Sequence, residues 1–270
     1  MTLYWIYDLP NWQFGLLTVV FFCAVSLIGL FVSRPLVRRL LGASAQHNDV
    51  VSYIFAGVGV FYGLAVGLIA VATWEDYSAI DSQISTEAAS LAALYRDMDG
   101  YPQPLRGKLE DKLREYTQSI IETDWPEHRK GNAPEAGTLV IDELENEVMG
   151  FEPTREREKI AHAEVIRSLA NAFEQRRIRL QSVGTALPTS LWCVVLIGAA
   201  LTIGLTYLFW VENLALHAIL VALLATFIAL LVFVTAAMDN PFRGEFSVAP
   251  DAFQIVLKQV MVPSAKNASP

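Results

Sequence analysis

Only two of the 270 residues are cysteine, Cys23 and Cys193, and both lie inside apolar runs. Neither belongs to a C-x-x-C pair, so there is no basis for a metal or redox motif; both read as small buried apolar residues. Positive charge is also scarce: 20 Lys and Arg stand against 28 Asp and Glu, a formal net charge of −8. Phosphate backbones need a basic face, so no nucleic-acid partner is expected. Enzyme signatures are missing too. There is no H-E-x-x-H, no G-x-S-x-G and no phosphate loop, and the GVG of residues 57–59 sits in an apolar run. The chain is therefore read as a non-enzyme, with no cofactor and no metal. No segment shows the period-two alternation of a strand, which leaves an all-α fold.

What is present is apolar length. The chain is 53% hydrophobic yet 18% charged, with a mean hydropathy of +0.37. That combination predicts spanning helices joined to a polar domain. Four runs approach or exceed the roughly 20 apolar residues that a bilayer core demands; they fall at about 13–32, 51–74, 187–210 and 214–238. The predicted organisation is a first membrane hairpin over 1–74, a polar helical bundle over 75–186, a second hairpin over 187–238 and a C-terminal tail over 239–270. The first charge is Asp8 and no basic segment precedes the first run, which reads as a retained helix. Tyr4, Trp5, Tyr7 and Trp12 suit the headgroup layer. Pro35 is expected to break the first helix, and Asn48 or Asp49 to cap the second.

The polar domain carries helical stripes. Ile84, Ala88, Leu91, Tyr95 and Met98 form one, and Leu105, Leu109, Leu113, Tyr116 and Ile120 a second. Leu139, Ile141, Leu144 and Val148 form a third, and Ile160, Ala163, Ile166, Leu169 and Phe173 a fourth. Residues 124–137 read as a loop from their Pro and Gly content. No Gly or Pro lies between Trp74 and Asp99, so the second span is expected to continue unbroken into the bundle. The fourth bundle helix is expected to run on toward the third span.

The second span carries the candidate functional residues. Ala56, Gly59, Gly63, Gly67 and Ala70 recur at steps of three and four and share one face. Small residues let helix backbones approach in lipid. Such a face packs either on another span of the same chain or around an oligomer axis. Tyr53, Gly57, Phe61 and Leu64 form another face, which could line a pore and gate it by dewetting, or else face lipid. Glu75, Asp76 and Asp81 cluster where the span ends; in an oligomer they could form an acidic mouth, and otherwise they are solvated surface. Arg176, Arg177 and Arg179 read as an anion- or lipid-attracting cluster or as topology signals. No Lys, Arg, Asp or Glu lies deep in a span, which argues against a proton-coupled transporter.

Two motifs carry a family resemblance. The stretch from Phe61–Tyr62 to the exit at Trp74 and Tyr77 resembles the second membrane helix of bestrophins. The element Asn240, Pro241, Phe242 resembles the Asn-Pro-Phe-Gly sequence that follows their fourth span. The whole chain is similar to the DUF4239 group of bacterial bestrophin-like membrane proteins. The resemblance implies a homo-oligomeric, pentameric channel for anions in the bacterial inner membrane, in contact with lipid and inorganic ions. The polar domain would be cytoplasmic and the second helix would line the axis. Arginine counts leave sidedness open, with three on the loop side (Arg34, Arg38, Arg39) and four on the domain side (Arg176, Arg177, Arg179, Arg243). Arg243 interrupts the Pro-Phe-Gly sequence. Of the acid-rich calcium clasp of bestrophins only Glu245 and Asp251 remain, too few for the six to eight oxygens calcium takes. The rival reading is a membrane sensor whose bundle binds a ligand or partner and passes a helix shift through the second and third spans. A non-conducting member of the same fold is a third.

Overall fold

A computed structural model describes residues 4–41, 45–134 and 136–262. The helices, in chain order, are α1 (Asn11–Leu41), α2 (Ala45–Asp97), α3 (Leu105–Ser119), α4 (Trp125–Lys130), α5 (Ala136–Met149), α6 (Glu156–Ser182), α7 (Thr189–Thr206), α8 (Leu214–Met238) and α9 (Asp251–Gln259). A short 3₁₀ helix precedes α1, and a π-helical turn, Ile120–Asp124, joins α3 to α4. No strand occurs among the described residues, and α1, α2, α7 and α8 are long and apolar enough to cross a membrane. The all-α expectation with four spans holds. The chain divides into two compact units: Met1–Asp76, Ala186–Asn240 and Gly244–Phe246 in one, and Tyr77–Thr185, Pro241–Arg243 and Ser247–Pro270 in the other.

In the first unit α1 lies along α8, with Phe14 edge-on to Phe233 and Cys23 Sγ 3.3 Å from Thr226 Oγ1. The α7–α8 hairpin supplies most of the core through Val195, Ala199, Ile203, Ala225, Ile228 and Val232, and α2 adds Val66. Two close approaches explain two glycines. A Cβ at Gly29 would lie 2.5 Å from Tyr207 Oη, whose hydroxyl donates to the Ser26 carbonyl, and a Cβ at Gly198 would lie 2.5 Å from Tyr62 Cδ2. Pro35 does not break α1, which runs on to Leu41. A proline inside a membrane helix removes one hydrogen bond and is tolerated where neighbours restore contact; Arg34 donates to the Val211 and Glu212 carbonyls. Asn48 does not cap α2 but sits inside it. Its amide donates to the Trp210 carbonyl and its Oδ1 accepts the Trp210 N–H, tying down the α7–α8 connection. Asn213 caps α8 by accepting from Ala215 and Leu216. The short basic connection expected over residues 33–49 is helical where described, in α1 to Leu41 and in α2 from Ala45; residues 42–44 and the polar tail from 263 onward lie outside the described residues.

In the second unit the predicted first two stripes form the core, joined by Ile141, Leu144 and Val148 of α5 and Val165, Leu169 and Ala172 of α6. Leu139 and Ile160 face outward, correcting the third and fourth stripes. Residues 124–137 are not a single loop. Pro126 falls in the first turn of α4, directly after the π-helical turn, and Gly131 closes the helix in the left-handed conformation at φ +85°. Burial of Trp125 and His128 then holds this short helix in place. The segment after the fourth span also joins this core, through Phe242, Val248, Phe253 and Met261. α2 is unbroken through residues 74–97, as expected. α6 is not continuous with α7: residues 183–188 are non-helical, and Pro188 disfavours helical geometry at Leu187.

Candidate functional site

The membrane part of α2 has three distinct sides, set by about 100° of rotation per residue. One side packs on its own chain. Val66 and Thr73 are buried, Tyr62 and Ile69 are half-buried, and the Tyr62 hydroxyl donates to the Val195 carbonyl of α7 at 3.2 Å. Roughly opposite lies the face of Tyr53, Gly57, Phe61 and Leu64. Tyr53 is 82% exposed, Phe61 75% and Leu64 60%, and Glu75 continues the same face at its end. The flank between carries Ala56, Gly59, Gly63, Gly67 and Ala70. A Cβ built at Gly57, Gly59, Gly63 or Gly67 would meet nothing within 4 Å. Among the described residues no other span packs onto these glycines, so close packing between the described spans does not account for them.

Glu75 and Asp76 are exposed and diverge around the helix, and Asp81 is exposed on the polar unit. Trp74 is 55% exposed. Tyr77 packs against the polar core, and its hydroxyl is pushed up by burial and by the charge of Asp81. The Asn-Pro-Phe element is split in its duties. The Asn240 amide donates to Tyr7 Oη at 2.7 Å, and that hydroxyl donates to the Ala236 carbonyl. Phe242 is buried in the polar unit against Trp125 and His128. Asp239 accepts from the Leu187 N–H at 2.6 Å and the Trp192 indole at 3.2 Å; burial raises its carboxyl above the usual range against the pull of those bonds. Glu245 accepts from the Asn11 N–H at 2.8 Å, at the first turn of α1, and Asp251 stands exposed in the first turn of α9. Glu245 is thus committed to a helix N-terminus, and these residues do not fit a calcium clasp. Among the described residues, no group of three His, Cys, Asp or Glu could hold a metal. His217 is buried in the first unit with Nε2 2.9 Å from the Thr206 carbonyl oxygen.

The arginine cluster is not a free anion site. Arg177 pairs with Glu174 at 2.8 Å and Arg176 donates to Thr138 at 2.7 Å. Arg179 is wholly buried and meets Glu87 at 2.8 Å, Asp124 at 3.4 Å and His128 Nε2. Sequence reading missed this cluster, although its signal was present. Positions 165, 169, 172, 176 and 179 keep one helical phase, as do 80, 84, 87 and 91, so Arg179 and Glu87 fall on inward stripes.

A family model described as the Bestrophin-like domain matches residues 20–253, from within the first span through the bundle and the other three spans. The chain belongs to the bestrophin-like family. No curated protein matches. This bestrophin-like chain shares its fold with crystal structures of a bacterial bestrophin homologue from Klebsiella pneumoniae, each carrying one substitution. One is 11% identical with a TM-score of 0.65, covering 90% of this chain and 97% of that one. A second is 11% identical with a TM-score of 0.66, covering 92% and 99%. A third structure of a membrane protein is 9% identical with a TM-score of 0.60. The family and the four apolar helices make this a membrane protein.

Proposed function

We propose that this protein is a homo-oligomeric ion channel in which α2 of each copy faces a common axis. The observation that carries the reading is the uncovered side of α2. Tyr53, Phe61 and Leu64 stand exposed, and among the described residues no atom comes within 4 Å of a Cβ placed at Gly57, Gly59, Gly63 or Gly67. Lipid offers helices no hydrophobic reason to associate, so a face of small residues gains most from a closely packed helix. The copies of α2 are the available partners that leave the Tyr53–Leu64 face toward the axis. Between Asp49 and Glu75 the helix carries no ionisable acid or base except Tyr53 and Tyr62. A path lined by it is apolar and small, with Glu75 at its end. By family likeness the assembly is a pentamer, the permeant ion an anion, the membrane the bacterial inner membrane and the polar unit cytoplasmic. The acids at the helix end favour cations, so selectivity is read directly from reversal potentials. The sensor reading loses one of its two supports, because α6 stops at Ser182 before α7 begins. Assembled protein in planar bilayers is expected to give single-channel currents; silence across ions and voltages would end the proposal.

A further inference from the structure

The polar unit encloses a charged cluster that the conduction path does not use. Glu87 comes from α2, Tyr116 from α3, Asp124 from the π-helical turn, His128 from α4, and Arg176 and Arg179 from α6. Glu87, Tyr116, Asp124, His128 and Arg179 are all buried. π-turns inside helices recur at functional sites, and this one, with Asp124 at its last position, aims a carboxylate at Arg179.

The hydrogen bonding fixes the state of the imidazole. A guanidinium has only donors, so His128 Nε2 must accept from Arg179 Nη1. Its Nδ1 then carries the proton and donates to the Asn132 carbonyl at 3.0 Å. His128 is therefore neutral, with both nitrogens in use. Phe242 packs edge-on to the ring and Trp125 lies beside it, and the acids of the cluster, Glu87 and Asp124, pair with Arg179. Arg243 donates to the Lys130 carbonyl at the end of α4. Both carboxylates are engaged by Arg179 through one oxygen each, while Glu87 Oε1, Asp124 Oδ1 and Tyr116 Oη have no hydrogen-bond partner.

We propose that this cluster is an acid-released lock, in which neutral His128 holds Arg179 and protonation of Nε2 forces α4 away from α6. A proton on Nε2 sets an N–H against an N–H and adds a third positive charge beside Arg176 and Arg179. Burial first, then the fields of Arg179 and Arg176, hold the imidazole down at about 4, against an ordinary value of 6.5. The sign follows from linkage. A depressed histidine contributes stability fully present above pH 6.5 and lost as pH falls through about 4. In an opened state His128 returns to its ordinary value, so between these limits opening rises about tenfold per pH unit. Burial raises both carboxyls against the attraction of Arg179, which acts in the opposite sense. Their titration is common to wild type and a His128 variant and cancels in the comparison.

The experiment is backbone hydrogen exchange on the full-length protein in detergent, corrected for intrinsic rates, between about pH 7 and pH 4.5. The amides of α4 and of the last turns of α6 are read in wild type and in His128→Gln. Glutamine keeps an acceptor near the Nε2 position and cannot titrate. The opening constant in wild type is expected to rise about tenfold per pH unit below pH 6, and the variant to lack that rise. Equal slopes in the two proteins, or a flat wild type, would overturn the lock. Should the variant not fold, exchange at the imidazole C2–H of wild type decides instead: midpoints near 4 for His128 support the lock, and near 6.5 refute it. Neither readout involves ion conduction, so failure here is distinct from failure of the channel reading.

Discussion

Replacing Arg179 by methionine tests the buried cluster through its largest energy. Methionine keeps the length and apolar stem of the side chain but removes every donor. Glu87 and Asp124 then lose the guanidinium that meets them at 2.8 and 3.4 Å, in a place where neither carboxylate is exposed. Breaking a buried ion pair from one side costs about 3–5 kcal/mol. The unpaired carboxylates escape by taking protons, and holding a carboxyl neutral at pH 7 against an ordinary pKa near 4.3 costs about 3.7 kcal/mol at ~1.36 kcal/mol per unit, so a single shared proton between the two already accounts for a loss of this size. The same arithmetic sets the pH dependence. In the variant the folded state binds more protons than the unfolded one, so stability falls as pH rises, by about 1.4 kcal/mol per unit for each carboxyl that must protonate. Thermal unfolding of the whole protein in detergent should show a midpoint lowered on the order of 10 °C at pH 7, using roughly 2–4 °C per kcal/mol. Part of the loss should return by pH 5. The triple variant Glu87→Gln, Asp124→Asn, Arg179→Met should recover much of it, since removing all the charges together is often neutral. A loss below about 1 kcal/mol, or one that does not shrink in acid, would refute a closed, dry cluster.

Further outcomes follow from the membrane unit. Gly198→Ala drives a Cβ to 2.5 Å from the Tyr62 ring; overpacking of this kind costs about 1–3 kcal/mol, and the variant's thermal midpoint should fall with it. At Gly63 a Cβ meets nothing within 4 Å among the described residues, so Gly63→Leu points away from the chain's own packing. It should leave the fold of a single copy intact by circular dichroism while shifting cross-linked protein toward smaller species; an unchanged cross-linking ladder would place that flank against lipid.

The four spans and the two leading stripes of the bundle were readable because apolar residues repeat there at helical spacing without competition. Where the reading failed, a local signal was overridden by tertiary contact. Pro35 is a helix breaker by propensity, but the membrane leaves its neighbours no better state than helix. Asn48 is a capping residue by type, yet its side chain serves the Trp210 backbone. Residues 124–137 look like a loop until Trp125 and His128 are buried, and burial of partners distant in sequence is invisible to a local pattern. Arg179 shows the same limit from the other side. With Arg176 and Arg177 it suggested an anion- or lipid-attracting cluster or a topology signal, whereas its helical phase with Leu169 and Ala172 already placed it inward. The uncovered glycines of α2 were legible as a small-residue face, but which chain covers them is a question of neighbours that only the fold could narrow.

The claim on which the channel reading turns is that α2 meets copies of itself around an axis. Single-particle imaging of the full-length protein in detergent or nanodisc measures this directly. The account predicts a ring of identical copies with α2 innermost and the Tyr53–Leu64 face on the axis. A monomer, or a ring with α2 on its outer wall against lipid, would contradict it.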